Sequence, residues 1–278
     1  MPELPEVETV RRGLNELVGG SEIKTIEVLY PKMLNNLTAD QFIATLSGRT
    51  IEKVDRRGKY LLIRLSGDLT IVSHLRMEGN YDVVPEGTTP HKHTHIIFHL
   101  TDGRELRYND TRKFGRMAVV NTGDEYTVSG LKTIGPEPTE KTLKLEYMEQ
   151  IFAKSKKAVK PFLLDQSKIA GLGNIYADEV LWMSKIHPER PANSLTIAEL
   201  KELRSNIILE LQKAIAGHGT TVHSYSNAYG EAGSFQNQLN VYGREGEPCL
   251  RCGTPIVKIK LAQRGTHFCP NCQVLTEE

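Results

Sequence analysis

Leu4, Val7, Val10, Leu14 and Leu17 recur every three or four residues, the spacing of one helical face, and Gly19-Gly20 ends the run. The pattern then changes to short runs rich in β-branched and aromatic residues: Tyr60–Leu65, Leu69–His74, His95–Leu100, Arg104–Tyr108 and Arg116–Val120. Ser66-Gly67-Asp68 and Thr101-Asp102-Gly103 supply turns between them. Strands so short and close predict an antiparallel sandwich or barrel with added helices over about the first 130 residues. Gly135-Pro136-Glu137-Pro138 reads as a domain boundary, after which the period is helical again. Thr196 and Glu199 form a capping box, Leu200, Leu203, Ile207, Leu211 and Ile215 mark one face, and Gly217 ends that helix. Residues 217–237, rich in Gly, Ser, Thr and Asn, read as a long loop, a feature that is often functional in compact proteins.

A chain of 278 residues accommodates two domains, or one domain and a small module. Its 39% hydrophobic and 25% charged residues are ordinary for a globular protein. The net charge of +1 points to no partner, so local charge matters more. Arg56, Arg57 and Lys59 form one basic group. Arg104, Arg107, Arg112, Lys113 and Arg116 form a second, and Lys154, Lys156, Lys157 and Lys160 a third. They predict either a basic groove for nucleic acid or a set of solvated faces. The start, MPELPEVE, has neither the basic nor the apolar region of a signal peptide, and no apolar run approaches membrane-spanning length.

Four cysteines fall in the last 30 residues with the spacing C-x2-C-x16-C-x2-C: Cys249, Cys252, Cys269 and Cys272. Paired Cys-x-x-Cys motifs indicate zinc and a reducing compartment. Four thiolates close a tetrahedral shell with no position for water, so the single Zn2+ is expected to be structural. The module either presents a hairpin with a basic residue, Arg264, to a phosphate, or acts only as a clip.

Glu3 and Glu6 share one face at the head of the first helix, where carboxylates also complement the helix dipole. Removing Met1 would expose the secondary amine of Pro2, and a proline in second position favours that removal. An α-amine has a pKa of about 8 against about 10.4 for lysine, so far more of it is unprotonated at neutral pH. Such an amine attacks an electrophilic carbon to give an iminium, and Glu3 beside it supplies a general acid or base.

Pro-Glu-Leu-Pro-Glu-Val-Glu at 2–8, Arg57-Gly58-Lys59-Tyr60-Leu61-Leu62, His74-Leu75-Arg76-Met77 and Asp110-Thr111-Arg112-Lys113-Phe114-Gly115 occur in order. Gly171-Leu172-Gly173-Asn174-Ile175-Tyr176, Val241-Tyr242-Gly243-Arg244 and Gln263-Arg264-Gly265-Thr266-His267 follow. In this order and number they closely resemble the bacterial formamidopyrimidine-DNA glycosylases, over nearly the whole chain. The resemblance implies an α+β protein. An N-terminal β-sandwich with flanking helices precedes a helix-two-turn-helix domain and a four-cysteine zinc finger, with DNA in the cleft between the domains. The corresponding divisions are 1–134 for the catalytic domain, 135–150 for a linker and first helix, 151–236 for the DNA-binding domain and 237–278 for the zinc module.

It also implies residue roles. Pro2 attacks C1′ of an oxidised purine nucleoside, Glu3 protonates the sugar ring oxygen and shuttles protons, and Glu6 orients the N-terminus. Lys59 stabilises phosphate charge; lysine as nucleophile is the internal alternative, disfavoured by its higher pKa. The base must leave the stack. Met77, Arg112 and Phe114 match the wedge that fills the gap, although Met and Phe at such positions are otherwise core residues. Gly171 and Gly173 permit a tight turn before Asn174, whose helix N-terminus suits a phosphate. Asn174 and Arg264 are the phosphate-clamp candidates and Lys156 a further one. His91, His93 and His95 could line one strand face as a second metal site, but lack a fourth ligand; loop or phosphate contacts fit them better, with His93 the candidate DNA contact. The loop at 217–237 matches the segment that closes over the extruded base. The implied partner is damaged double-stranded DNA, bound by a monomer in the bacterial cytoplasm at the nucleoid, with no membrane. The alternatives are an endonuclease VIII-like enzyme for oxidised pyrimidines, disfavoured by Leu4 and Arg112-x-Phe114, and a noncatalytic zinc-ribbon DNA-binding protein. An N-terminal-proline tautomerase would leave the zinc module unexplained.

Overall fold

Helix α1 (Leu4–Val18) buries Leu4, Val7, Val10, Leu14 and Val18, in a computed structural model that describes residues 2–220 and 234–275. Val18 is fully buried and Leu17 only half, so the core-facing stripe drifts by one position at the last turn. The chain separates into two compact units, residues 1–133 with 217–234, and residues 134–216 with 235–278.

The first unit is a sandwich of two four-stranded antiparallel sheets. One has the order β1 (Ile23–Val28), β6 (Thr94–Leu100), β7 (Arg104–Asn109), β5 (Asn80–Pro85). The other runs β2 (Ile51–Arg57), β3 (Tyr60–Leu65), β4 (Leu69–His74), β8 (Arg116–Asn121). Ile26, Ile96, Phe98 and Leu106 of one sheet share a core with Val54, Ile63, Ile71 and Val119 of the other and with the apolar face of α1. Helix α2 (Ala39–Leu46) is capped by Thr38 and adds Phe42 and Leu46.

The five strands expected from the sequence are present, two with identical limits and three one residue longer at one end. Strands β1, β2 and β5 were not legible. β1 and β2 carry register shifts between Ile23 and Thr25 and between Ile51 and Lys53. An extra residue there moves the next buried side chain from the second to the third position, erasing the alternation that marks a strand. All three also lie at sheet edges, where polar residues are favoured.

The second unit contains α3 (Leu145–Phe152), α4 (Val159–Leu163), α5 (Asn174–Met183) and α6 (Ile197–Ala216). The expected capping box at Thr196 and Glu199 forms, and Leu200, Leu203, Ile207 and Leu211 are buried; Ala214 replaces the half-buried Ile215 in that stripe. The hairpin β9 (Val257–Leu261) and β10 (Arg264–Phe268) turns through Ala262 and Gln263, both in the left-handed region.

Candidate active site and nucleic-acid interface

Pro2 and Glu3 are buried at the head of α1. Glu6 Oε2 accepts the backbone N–H of Glu3 at 2.8 Å, one half of a reciprocal capping box. Glu6 Oε1 accepts Thr220 N–H at 2.8 Å and its hydroxyl at 3.1 Å. Both carboxylate oxygens therefore hold backbone, one at the N-terminus and one at the entrance to residues 221–233. Most of the lesion-closing loop expected at 217–237 lies in that stretch, outside the described residues. Thr220 had no signal in the sequence, because its partner is 214 positions away. Two residues on, Glu8 meets Arg11, Arg12 and Arg56. Burial alone would raise its carboxyl, but the three guanidiniums outweigh burial and hold it down to about 2.

Lys59 is buried in the two-residue turn joining β2 and β3. Beside it in register, Tyr60 faces His74 across the β3–β4 ladder, with the rings edge-on at 4.4 Å. Burial, Arg76 and Lys59 together push the His74 imidazole down to about 3, so it is neutral. Its Nδ1 accepts Arg76 N–H at 2.9 Å, which assigns the ring proton to Nε2 as a donor. His74 is a polar candidate that sequence reasoning passed over, although it opens the His-Leu-Arg-Met motif.

The Met77 and Arg112–Phe114 loops are brought together. β4 and β8 pair so that His74 lies opposite Arg116, which puts the loop after β4 beside the loop before β8. A side chain at Gly79 or Gly115 would collide with the same atom, the Tyr108 hydroxyl. Asp110, fully buried, shapes the second loop by accepting Arg112 N–H at 2.9 Å and Gly115 N–H at 2.7 Å. Arg112 is exposed, Phe114 is 47% exposed with the Arg112 guanidinium 4.8 Å from its ring centre, and Met77 is half-buried.

The basic groups are less uniform than their sequence positions imply. Arg104 pairs with Asp102, and Arg107 is buried against Glu105 and backbone carbonyls. Lys160 is fully buried on Asp178, while Lys154, Lys156 and Lys157 are exposed. Charge counted along the chain thus mixed structural ion pairs with surface charge. The second metal site does not form: His91 and His93 lie in the turn before β6, and His95, on the strand, is buried with Nε2 2.8 Å from the Asp110 carbonyl. Among the described residues, the cysteine cluster is the one group with metal-binding geometry.

In the second unit, Gly173 precedes α5 as its N-cap, and Asn174 opens the helix. Asn174 Nδ2 donates to the Gly265 carbonyl at 3.0 Å. Lys160 Nζ reaches the same carbonyl at 2.9 Å, Thr266 Oγ1 at 2.8 Å and Asp178 at 2.7 Å. Asp178 also accepts His267 N–H at 2.9 Å. Three residues from α4 and α5 thus fix the hairpin immediately after the exposed Arg264. Lys160 and Asp178 were missed as partners because a buried lysine reads in sequence like one more basic residue.

The four cysteine sulfurs lie within 4.8 Å of one another, with Cys249 to Cys272 at 4.0 Å and Cys252 to Cys269 at 3.5 Å. A tetrahedron with Zn–S of about 2.3 Å has edges of about 3.8 Å, so this set fits a zinc ion.

A β-sandwich, a helical unit and a four-thiolate ribbon define a zinc-ribbon protein of the helix-two-turn-helix class. Residues 1–117 match the model of the formamidopyrimidine-DNA glycosylase N-terminal domain, 134–226 its H2TH domain, and 246–274 the zinc finger found in FPG and IleRS. A formamidopyrimidine-DNA glycosylase of Lactiplantibacillus plantarum is 69% identical over 97% of this chain and 98% of its own. The wild-type Lactococcus lactis Fpg in complex with N7-benzyl-Fapy-dG DNA has a TM-score of 0.94 at 45% identity, covering 99% of this chain and 100% of that one. The same enzyme with DNA containing an oxidised pyrimidine gives 0.93 at 45% identity and the same coverage. This chain belongs to the formamidopyrimidine-DNA glycosylase family.

Proposed function

We infer that this chain is a base-excision repair enzyme that releases oxidised purines from damaged double-stranded DNA and then cuts the abasic strand. The observation that carries the chemistry is the buried Pro2–Glu3 pair, tied through Glu6 to the start of the following loop. With Met1 removed, the Pro2 nitrogen attacks C1′, the glycosidic bond breaks, and the base leaves with its bonding electrons and a proton. Glu3 protonates the ring oxygen and opens the sugar to an iminium. Loss of a proton from C2′ expels the 3′ phosphate, and a second elimination expels the 5′ phosphate. Glu6 orients the amine and Lys59 stabilises phosphate charge.

Met77 and Phe114 are proposed to fill the space of the extruded nucleotide while Arg112 bonds the orphaned base. His93, Lys156, Asn174 and Arg264 are proposed to hold the backbone. Asn174 Nδ2 already serves the hairpin, so its part is to position Arg264 and the N–H groups of the α5 N-terminus. Cys249, Cys252, Cys269 and Cys272 would hold one Zn2+, which organises the hairpin and takes no part in the reaction. In functional terms, 1–134 is the catalytic domain, 135–150 the link, 151–236 the DNA-binding domain and 237–278 the zinc module. The relatives are bacterial, and among the described residues no helix is long and apolar enough to cross a membrane. Action on genomic DNA places the monomer in the bacterial cytoplasm, at the nucleoid.

The test is borohydride trapping on duplexes carrying 8-oxoguanine opposite cytosine, with an oxidised-pyrimidine duplex in parallel. The expected result is a reduced adduct on Pro2 with strand cleavage, faster on the purine lesion. An adduct on Lys59, or faster turnover of the pyrimidine, would overturn the nucleophile or the substrate class respectively.

A further inference from the structure

Trp182 is the chain's one tryptophan and lies in the last turn of α5, outside the cysteine module. It is 8% exposed, packed with Val241, Cys249, Ile256 and Cys269. An indole N–H is a donor only, and burying one without an acceptor is costly. Here Nε1 points at Cys249 Sγ, 3.4 Å away. The same sulfur accepts Arg251 N–H at 3.4 Å. Arg251 completes the arrangement. Its guanidinium lies 4.0 Å from the indole ring centre, and its Nη1 donates to the Trp182 carbonyl at 3.0 Å. The knuckle Cys249–Cys252 therefore grips the C-terminal turn of α5, and α5 returns a hydrogen bond to a ligand sulfur.

We propose that Trp182 is an outer-sphere partner of the zinc centre, whose indole N–H stabilises the Cys249 thiolate and so sets how firmly the metal is held. This rests on the reading of the four cysteines as a zinc site. A metal-bound thiolate keeps excess negative charge, and a donor in an apolar pocket offsets it more strongly than water would. Arg251 acts at one remove: it fixes the indole plane by stacking and by its bond to the helix-end carbonyl. Retention of the metal is thereby governed from a helix of the second unit rather than within the cysteine module alone.

The experiment uses the full chain loaded with zinc. Trp182→Phe deletes the N–H and retains an aromatic ring at the site, with loss of the indole's five-membered half. Zinc transfer to a chromogenic chelator is expected to be about tenfold faster in this variant. In cobalt(II)-substituted protein, the thiolate-to-metal charge-transfer band is expected at lower energy, a change that a packing defect would not produce. Arg251→Gln, which retains the backbone N–H to Cys249, should give a smaller shift in both. Equal release rates and superimposable cobalt spectra in folded Trp182→Phe would overturn the proposal. Should that variant fail to fold, wild-type protein loaded with cadmium-113 decides it. Scalar coupling between the indole proton and the metal supports the hydrogen bond, and its absence overturns it. Wild-type protein that holds no stoichiometric zinc would overturn the zinc centre itself and the proposal with it.

Discussion

Glu3 and Glu210 are both almost fully buried carboxyls, one at the head of α1 and one on α6. Glu3 lies beside the Pro2 nitrogen in sequence, which is why its candidate role was legible without a structure. Glu3→Gln keeps the shape and removes the proton; base release in single-turnover assays should fall by about 10²–10⁴-fold while affinity for the lesion duplex changes little. A parallel loss of binding would mean that Glu3 is structural. Glu210, on α6, carried no signal in sequence beyond its helical position. Burial raises its carboxyl to about 7, helped by the negative charge of Glu179, and among the described residues its Oε1 has no hydrogen-bond partner. Glu179 is itself held by the N–H groups of Asn240, Val241 and Tyr242. A carboxyl whose folded pKa exceeds its unfolded value favours folding below the unfolded value of about 4.5 and loses that contribution as pH rises toward 7. Glu210→Gln should therefore raise stability at pH 8 by about 2 kcal/mol and leave it nearly unchanged at pH 4, as read by urea melts. Destabilisation at pH 8 would show that the charged form is satisfied.

Among the elements, legibility followed regularity. The inner strands β3, β4, β6 and β7 are short, nearly continuous buried runs between turn signals, whereas the bulged edges β1 and β2 repeat every third residue and resemble no strand template. Loops were legible by composition but not by shape. Asp110-Thr-Arg-Lys-Phe-Gly shows an Asp two residues before Arg112, yet only the structure reveals both its carboxylate oxygens holding loop N–H groups. These bonds fix the loop through its backbone. Phe114→Ala is accordingly expected to shift the melting temperature by no more than about 2 °C, while extrusion of the lesion, followed by 2-aminopurine fluorescence, weakens at least about tenfold. A large loss of stability with normal extrusion would return Phe114 to the core.

At the scale of the whole molecule, the net charge of +1 was uninformative because so many of its basic residues serve internal pairs. The charge proposed to meet DNA is local, and the part carried by Arg264 sits in the cysteine module. Without zinc, the hairpin that Lys160, Asn174 and Asp178 hold in place loses its own fold, and Arg264 loses its position. Chelation should weaken binding to undamaged duplex and lower the slope of log affinity against log salt by about 0.9 for each phosphate that the displaced hairpin no longer neutralises. An unchanged slope in metal-free protein would show that the hairpin does not touch the backbone. The zinc ligands were the most legible feature of the chain, since four cysteines in two short pairs encode their geometry directly. The clamp around the hairpin was not legible, because it joins residues 89 to 106 positions apart.

Tyr108 has a consequence for how this protein can change over generations. Gly79 and Gly115 sit on separate stretches of chain, yet both abut one phenol oxygen. The side chains proposed as the wedge, at 77, 112 and 114, are half-buried or exposed, so exchanging them one at a time costs the loops beneath little. Their spacing is not free in this way: a methyl group gained at either glycine pries both loops from a common wall. Descendants of this sequence can therefore retune the groups proposed to enter DNA, while the gauge between the two loops is inherited as a unit.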